Sequence, residues 1–184
     1  MQRDFPGPLV LAFGGFLLRP PSVAEHREVL ELGLDPEVRL WNPRCRITDE
    51  ESAVRDCVDG ADWSAGTHVT FSIVQRDSGR YAGNIALHGL DPGAEPGAAQ
   101  GRIGYRVAGW ARGRGVAGGA VECLAGWALA RQLAQRILLT HAVENAASCH
   151  VARKTGFRLE QVLPAAKRFG DGLVHDEHLH IREA

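Results

Sequence analysis

The chain has 184 residues, of which 45% are hydrophobic, enough to bury a sizeable core. Its formal net charge of −1 supplies no overall positive field, which argues against non-specific nucleic-acid binding. No apolar run reaches the ~18 residues of a membrane-spanning helix, and the glycine- and proline-broken N-terminus lacks a clean small-residue cleavage site, so no signal peptide is expected.

Positive charge is almost all arginine, since Lys154 and Lys167 are the only lysines. Cys45, Cys57, Cys123 and Cys149 are widely spaced, with no C-x-x-C pair. That spacing fits neither a zinc motif nor a disulfide framework. It reads as reduced thiols in a cytoplasmic protein, with Cys149 in the core. There is no internal repeat or long linker, so residues 1–184 are expected to form one domain.

Phe16 to Arg19 reads as a strand, closed by Pro20-Pro21. Ser22-Val23-Ala24-Glu25 is a capping box that starts a helix to about Leu32. Asp35-Pro36-Glu37 starts a second, with proline at the tolerated first position. Thr48-Asp49-Glu50-Glu51 is another capping box, opening a helix to about Val58. The period then changes. His68 to Gln75 is β-branched and aromatic, and the turn Arg76-Asp77-Ser78-Gly79 leads into Tyr81 to His88, a hairpin signal.

Gly89 to Gln100 is loop by composition, and Arg102 to Val107 returns as a strand. Gly115 to Arg131 is helical, with Val116, Ala120, Val121, Leu124, Trp127 and Ala128 along one face. Arg136 to His141 is mostly apolar and reads as a central strand. Asn145 to Lys154 is a helix stopped by Gly156. Phe157 to Leu163 and Leu173 to Ile181 are two final strands. Short turns join antiparallel pairs, while the helix between Val107 and Arg136 forces a crossover. The class is therefore α+β with a mixed sheet.

The segment WARGRGVAGGA, Trp110 to Ala120, carries the chemistry. Gly113 to Gly118 formally satisfies G-x-G-x-x-G, but Ala108 to Arg112 intervene after the strand and no further βαβ unit follows. A nicotinamide-binding fingerprint is therefore out of context, and no GK[ST] occurs for a P-loop. The segment still has what a pyrophosphate needs. Glycines allow close backbone approach, a helix N-terminus offers unpaired N–H groups, and Arg112 and Arg114 add charge. The plain alternative is a structural turn with solvated arginines.

Arg112-Gly113-Arg114-Gly115-Val116-Ala117 resembles the [Q/R]-x-x-G-x-[G/A] signature of the GNAT superfamily of N-acetyltransferases. Asn145-Ala146-Ala147-Ser148 and Lys154-Thr155-Gly156-Phe157 resemble its second motif. Leu18-Arg19-Pro20 and Asp35-Pro36-Glu37-Val38 are similar to the opening of the branch that acetylates ribosomal-protein N-termini. The resemblance implies a mostly antiparallel mixed sheet with helices on both faces and a splayed central strand pair. It implies acetyl-CoA as co-substrate, its pyrophosphate held by Arg112, Gly113, Arg114, Gly115, Val116 and Ala117. Pantetheine would bond the strand edge near Val107, and Asn145 would contact the cofactor arm, cap its helix, or do both.

The acceptor would be a primary amine, of a small molecule or a protein N-terminus, attacking the thioester directly. Many family members carry a tyrosine where this chain has Ala152. Ser148 then becomes the candidate general acid, with a helix-start serine bonding its own backbone as the alternative. Glu144 is a candidate base, beside His88, His141 and Glu160. Tyr105 and Trp110 read as core packing. His178 and His180 share one strand face, two ligands short of a metal site, so no metal is expected. Homodimers are common in the family. The rival readings are a non-catalytic acyl-CoA-binding domain and a transferase of another acyl group such as succinyl.

Overall fold

The computed structural model describes residues 7–95 and 98–184, so part of the N-terminal segment and positions 96 and 97 of the long loop lie outside it. The first described strands form a hairpin through Gly14, which adopts φ +47: Leu11–Phe13 (β1) turns back onto Phe16–Arg19 (β2). The first of these is too short to carry an alternation pattern, and sequence reading passes over it.

Ser22 and Glu25 form their reciprocal cap, but it closes a single 3₁₀ turn, Val23–Glu25. The α-helix proper, His26–Leu34 (α1), follows. Asp35 caps Pro36–Trp41 (α2) by accepting from the amides of Glu37 and Val38. The next cap sits one residue later than the sequence suggests. Asp49 is the N-cap of Glu50–Ala61 (α3), and the Ser52 hydroxyl, not a glutamate, completes the box by accepting from the Asp49 amide.

The remaining elements are His68–Gln75 (β3), Tyr81–His88 (β4), Gln100–Val107 (β5), Val116–Ala130 (α4), Arg136–Ala142 (β6), Ala146–Lys154 (α5), Arg158–Arg168 (β7) and Val174–Glu183 (β8). The last hairpin runs further than its composition suggests. Register shifts after Leu159 and Leu163, with Ala165 at φ +45, let β7 continue past Leu163.

All eight strands join one sheet in the order β1-β2-β3-β4-β5-β6-β8-β7. Every pairing is antiparallel except β5 with β6, which the α4 crossover makes parallel. On one face α4 buries Val116, Ala120, Val121, Leu124, Ala125 and Ala128 over Phe71, Ile85, Ile103 and Ile137. The alanines let the helix sit close to the sheet. On the other, a smaller cluster gathers Val29, Leu32, Val38, Ile47, Ala53 and Cys57 from the first three helices and their connections around Tyr81. The α+β fold with helices on both faces is as the sequence implies.

Candidate active site

The two parallel strands stay together for only three residue pairs, Gln100–Arg136, Gly101–Ile137 and Arg102–Leu138. Beyond them β5 remains bonded to β4 as far as Val107, and β6 to β8 as far as Ala142. The strands therefore part like a V, leaving facing main-chain edges without a strand partner. A cleft of about 1280 Å³ occupies the opening, lined from both sides of the sheet.

Side-chain alternation sorts the cleft wall. Tyr105 points toward α5, where its hydroxyl meets Ser148, while Arg106 points toward α3 and pairs with Asp56 at 3.2 Å. That guanidinium also bonds Asn84 Oδ1 at 2.9 Å and Cys45 Sγ at 3.4 Å. These contacts build a polar floor on the α3 side.

At the mouth of α4, Gly113 and Gly115 adopt φ +70 and +75, the left-handed region that favours glycine. Gly115 is the N-cap and offers no side-chain cap. Among the described residues, the N–H groups from Gly113 to Gly118 donate to no backbone carbonyl; Gly119, which donates to Gly115 at 2.9 Å, is the first that does. A helix start with successive free donors is an anion site in waiting.

The arginines behave differently from the donors. Arg112 bonds Asp35 at 2.9 Å, Glu37 at 2.8 Å and the Val107 carbonyl at 3.0 Å. Its charge is committed to latching the loop onto α2, and the Val107 oxygen is occupied by the same side chain. Arg114 is exposed, with its guanidinium 5.9 Å from the Trp110 ring centre. Val116 is buried beneath the loop, and Ala117 lies half-buried on the cleft wall.

Asn145 caps α5 by accepting from the Ser148 amide at 3.0 Å. The Ser148 hydroxyl is left to the cleft and accepts from Tyr105 at 3.1 Å. Tyr105 is thus no mere packing residue. Burial pushes its phenol up to about 12, against a smaller opposing effect of Ser148, so it stays protonated at neutral pH. The serine motif was visible in the sequence. The phenol was not, because its partner lies 43 residues away and only the fold joins them. Ala152 is fully buried in the main core, so that position presents no group to the cleft.

The base candidates separate by position. Glu144 is ion-paired with His175 at 3.0 Å and does not line the cleft; Glu160 is held by Arg136 and Arg158. His141 lines the cleft, but it is buried and its Nε2 meets His180 Nε2 at 3.2 Å. His88 lines the cleft from the end of β4 and is exposed to solvent. Partial dehydration, aided by the charges of Arg102, Arg44 and His68, holds its imidazole below the usual value, so it is neutral at pH 7. Cys149, expected in the core, is half-buried next to His141.

The family profile described as "Acetyltransferase (GNAT) domain" matches residues 16–158. The chain belongs to the GNAT acetyltransferase family. It is an acyl-CoA-dependent enzyme with acetyl-CoA as co-substrate, moving an acetyl group to an amine. Solved structures with this GNAT fold include RimL, a ribosomal L7/L12 alpha-N-protein acetyltransferase, in complex with coenzyme A. It is 20% identical with TM-score 0.82, over 95% of this chain and 98% of that one. An acetyltransferase from Salmonella typhimurium that modifies the N-terminal serine of L7/L12 is 19% identical with TM-score 0.80, covering 96% and 99%. RimJ from Mycobacterium smegmatis, solved with a CoA disulfide, is 24% identical with TM-score 0.77, covering 97% and 86%. At these identities the likeness is one of fold. No curated protein sequence matches the chain. No helix among the described residues is long and apolar enough to cross a membrane.

Proposed function

We propose that this GNAT enzyme acetylates the α-amine of a protein N-terminus by direct attack on acetyl-CoA. The observation that carries the reading is the V between β5 and β6, with free amides at one end and the Tyr105–Ser148 pair on its wall. The near full-length likeness to enzymes named for ribosomal-protein N-termini supports this acceptor over a small amine.

In this reading the amides from Gly113 to Ala117 take the pyrophosphate, with Arg112 acting through its latch and Arg114 as long-range charge. The parted edge near Val107 receives the amide-bearing arm, and Asn145 holds the first turn of α5 in place. The amine attacks the thioester carbon, the C–S bond breaks, and the leaving thiolate takes a proton from the Ser148 hydroxyl. Ser148 is in turn reprotonated by the Tyr105 phenol, whose proton is restored from solvent. His88, neutral at pH 7, takes the proton that the bound ammonium must lose before it attacks and passes it to solvent, replacing Glu144 in that role. The four free thiols support a cytoplasmic location. A homodimer, common in the family, is part of the same reading, and light scattering tests it.

The test is thiol release from acetyl-CoA with N-terminal peptides and with small primary amines as acceptors. Peptides are expected to support turnover at kcat/KM at least tenfold above the small amines. Tight binding of acetyl-CoA with no thiol release for any acceptor would favour a non-catalytic binding domain instead.

A further inference from the structure

Four side chains able to ligate a metal meet beside the cleft. His141 on β6 is paired directly with His178 on β8, and His180 stands two residues further along the same face. The first turns of α5 bring Cys149 over them, and one ligand atom from each of the four lies within 4.8 Å of all the others. Two of the four, His141 at 5% exposure and His180 at 1%, are buried.

The hydrogen bonding fixes the tautomer of one ring and puts one proton between two of the nitrogens. His141 Nδ1 lies 2.8 Å from the Ala142 carbonyl, which can only accept, so Nδ1 carries the proton and Nε2 is bare. That bare Nε2 accepts from His180 Nε2–H at 3.2 Å, a proton whose place a shared ion would take. Two nitrogens bound to one tetrahedral zinc ion, each at about 2.0–2.1 Å, stand about 3.3 Å apart. The pair is therefore already at the spacing of one edge of a coordination tetrahedron. His178 Nδ1 and His180 Nδ1 are buried with no hydrogen-bond partner. Buried imidazoles arranged this way are poorly satisfied by protein groups alone. An approach path exists, because His141 lines the cleft. The neighbouring charges, Glu177 and Arg153, act on His141 in opposite senses.

We propose that His141, Cys149, His178 and His180 bind one thiophilic divalent transition-metal ion of the zinc class, as a structural site outside the acetyl-transfer chemistry. Three imidazoles and a thiolate suit such an ion and disfavour magnesium or calcium, which take oxygen ligands. On binding, the Cys149 thiol loses its proton to solvent and the sulfur takes a place in the coordination shell; no electron changes hands. The ion joins α5 to β6 and β8 one residue from Ser148, and so fixes the helix turn that carries it.

The experiment uses the full chain without a purification tag, stripped with chelator and titrated with zinc or cobalt(II). One equivalent per chain is expected by elemental analysis after dialysis, with a rise in Tm and the intense visible absorption of tetrahedral cobalt. Cys149→Ser should abolish the sulfur-to-cobalt charge-transfer band, and His178→Gln should weaken zinc binding at least tenfold. Both positions are half-buried, so the metal-free variants are expected to keep the Tm of the metal-free wild type, which checks that they fold. Less than ~0.1 equivalent retained by the wild type, or equal zinc affinity in wild type and both variants, overturns the proposal.

Discussion

Ser148 and Tyr105 illustrate how a single hydroxyl changes meaning with its neighbour. A serine at a helix start commonly bonds its own backbone; here Asn145 takes the capping role and leaves the Ser148 hydroxyl free to turn toward the cleft. Ser148→Ala is expected to lower kcat by about 10²-fold, the usual scale for a lost proton donor, with the KM for acetyl-CoA changed less than twofold. Tyr105→Phe should cost less, about tenfold, because the serine hydroxyl survives. Equal kcat in either variant under chemistry-limited conditions removes that residue from the proton path. For His88→Gln the expected loss is about 10²-fold at pH 7, shrinking as pH rises and the amine loses its proton unaided. A pH–rate profile of wild type beside variant decides it. What the sequence conveyed at this scale was residue type and spacing, which was enough for Ser148 and Asn145. It could not convey who pairs with whom. Glu144 looked free until His175 appeared against it, and Arg112 looked like a phosphate ligand until two carboxylates claimed it.

Among the elements, the glycine-rich entry to α4 serves several ends at once. Gly113 and Gly115 supply left-handed backbone, whereas a Cβ at Gly119 would overlap the Phe13 ring of β1, and Gly118 faces open space. Gly118→Glu therefore places a carboxylate by the proposed phosphate site with room for the side chain. Its expected result is at least tenfold weaker coenzyme A binding by calorimetry; unchanged affinity would place the pyrophosphate elsewhere.

The latch from Arg112 to α2 makes a separate prediction. Dehydration opposes ionisation of Asp35, but Arg112 and the amides of Val38 and Glu37 prevail and hold its carboxyl below the ordinary 3.8. A lowered folded-state value gives stability that is present above the unfolded-state value and fades as pH falls through the folded one. Arg112→Ala should thus cost about 1 kcal/mol or less at pH 7, the pair being partly exposed, and the deficit should narrow on acidification below the ordinary aspartate range. Urea melts of both proteins at the two pH values measure it.

The starts of α2 to α5 were readable within a residue or two because capping is local chemistry, whereas the Ser22 box closes a 3₁₀ turn ahead of α1. The shift from Thr48 to Asp49, and the use of Ser52 in place of an acid, were not, since several hydroxyls and carboxylates compete there over one turn.

At the scale of the whole molecule, the hydrophobic periods and turn residues were sufficient for the class, the crossover and the succession of most elements along the chain. β1 escaped because three residues carry no period, and the continuation of β7 escaped because it rests on irregular pairing with β8. The parting of β5 from β6 is equally invisible in composition: no residue type in either strand marks where they separate, and only family resemblance suggested it. The opening reaches both surfaces of the sheet, with α4 and α5 flanking one side and α3 the other. Two reactants can therefore occupy it together without competing for one doorway. Initial-rate plots should then intersect, with no parallel-line pattern, and coenzyme A should compete with acetyl-CoA but act as a mixed inhibitor toward the amine. An enzyme built around this passage has no need to store the acyl group on itself between visits.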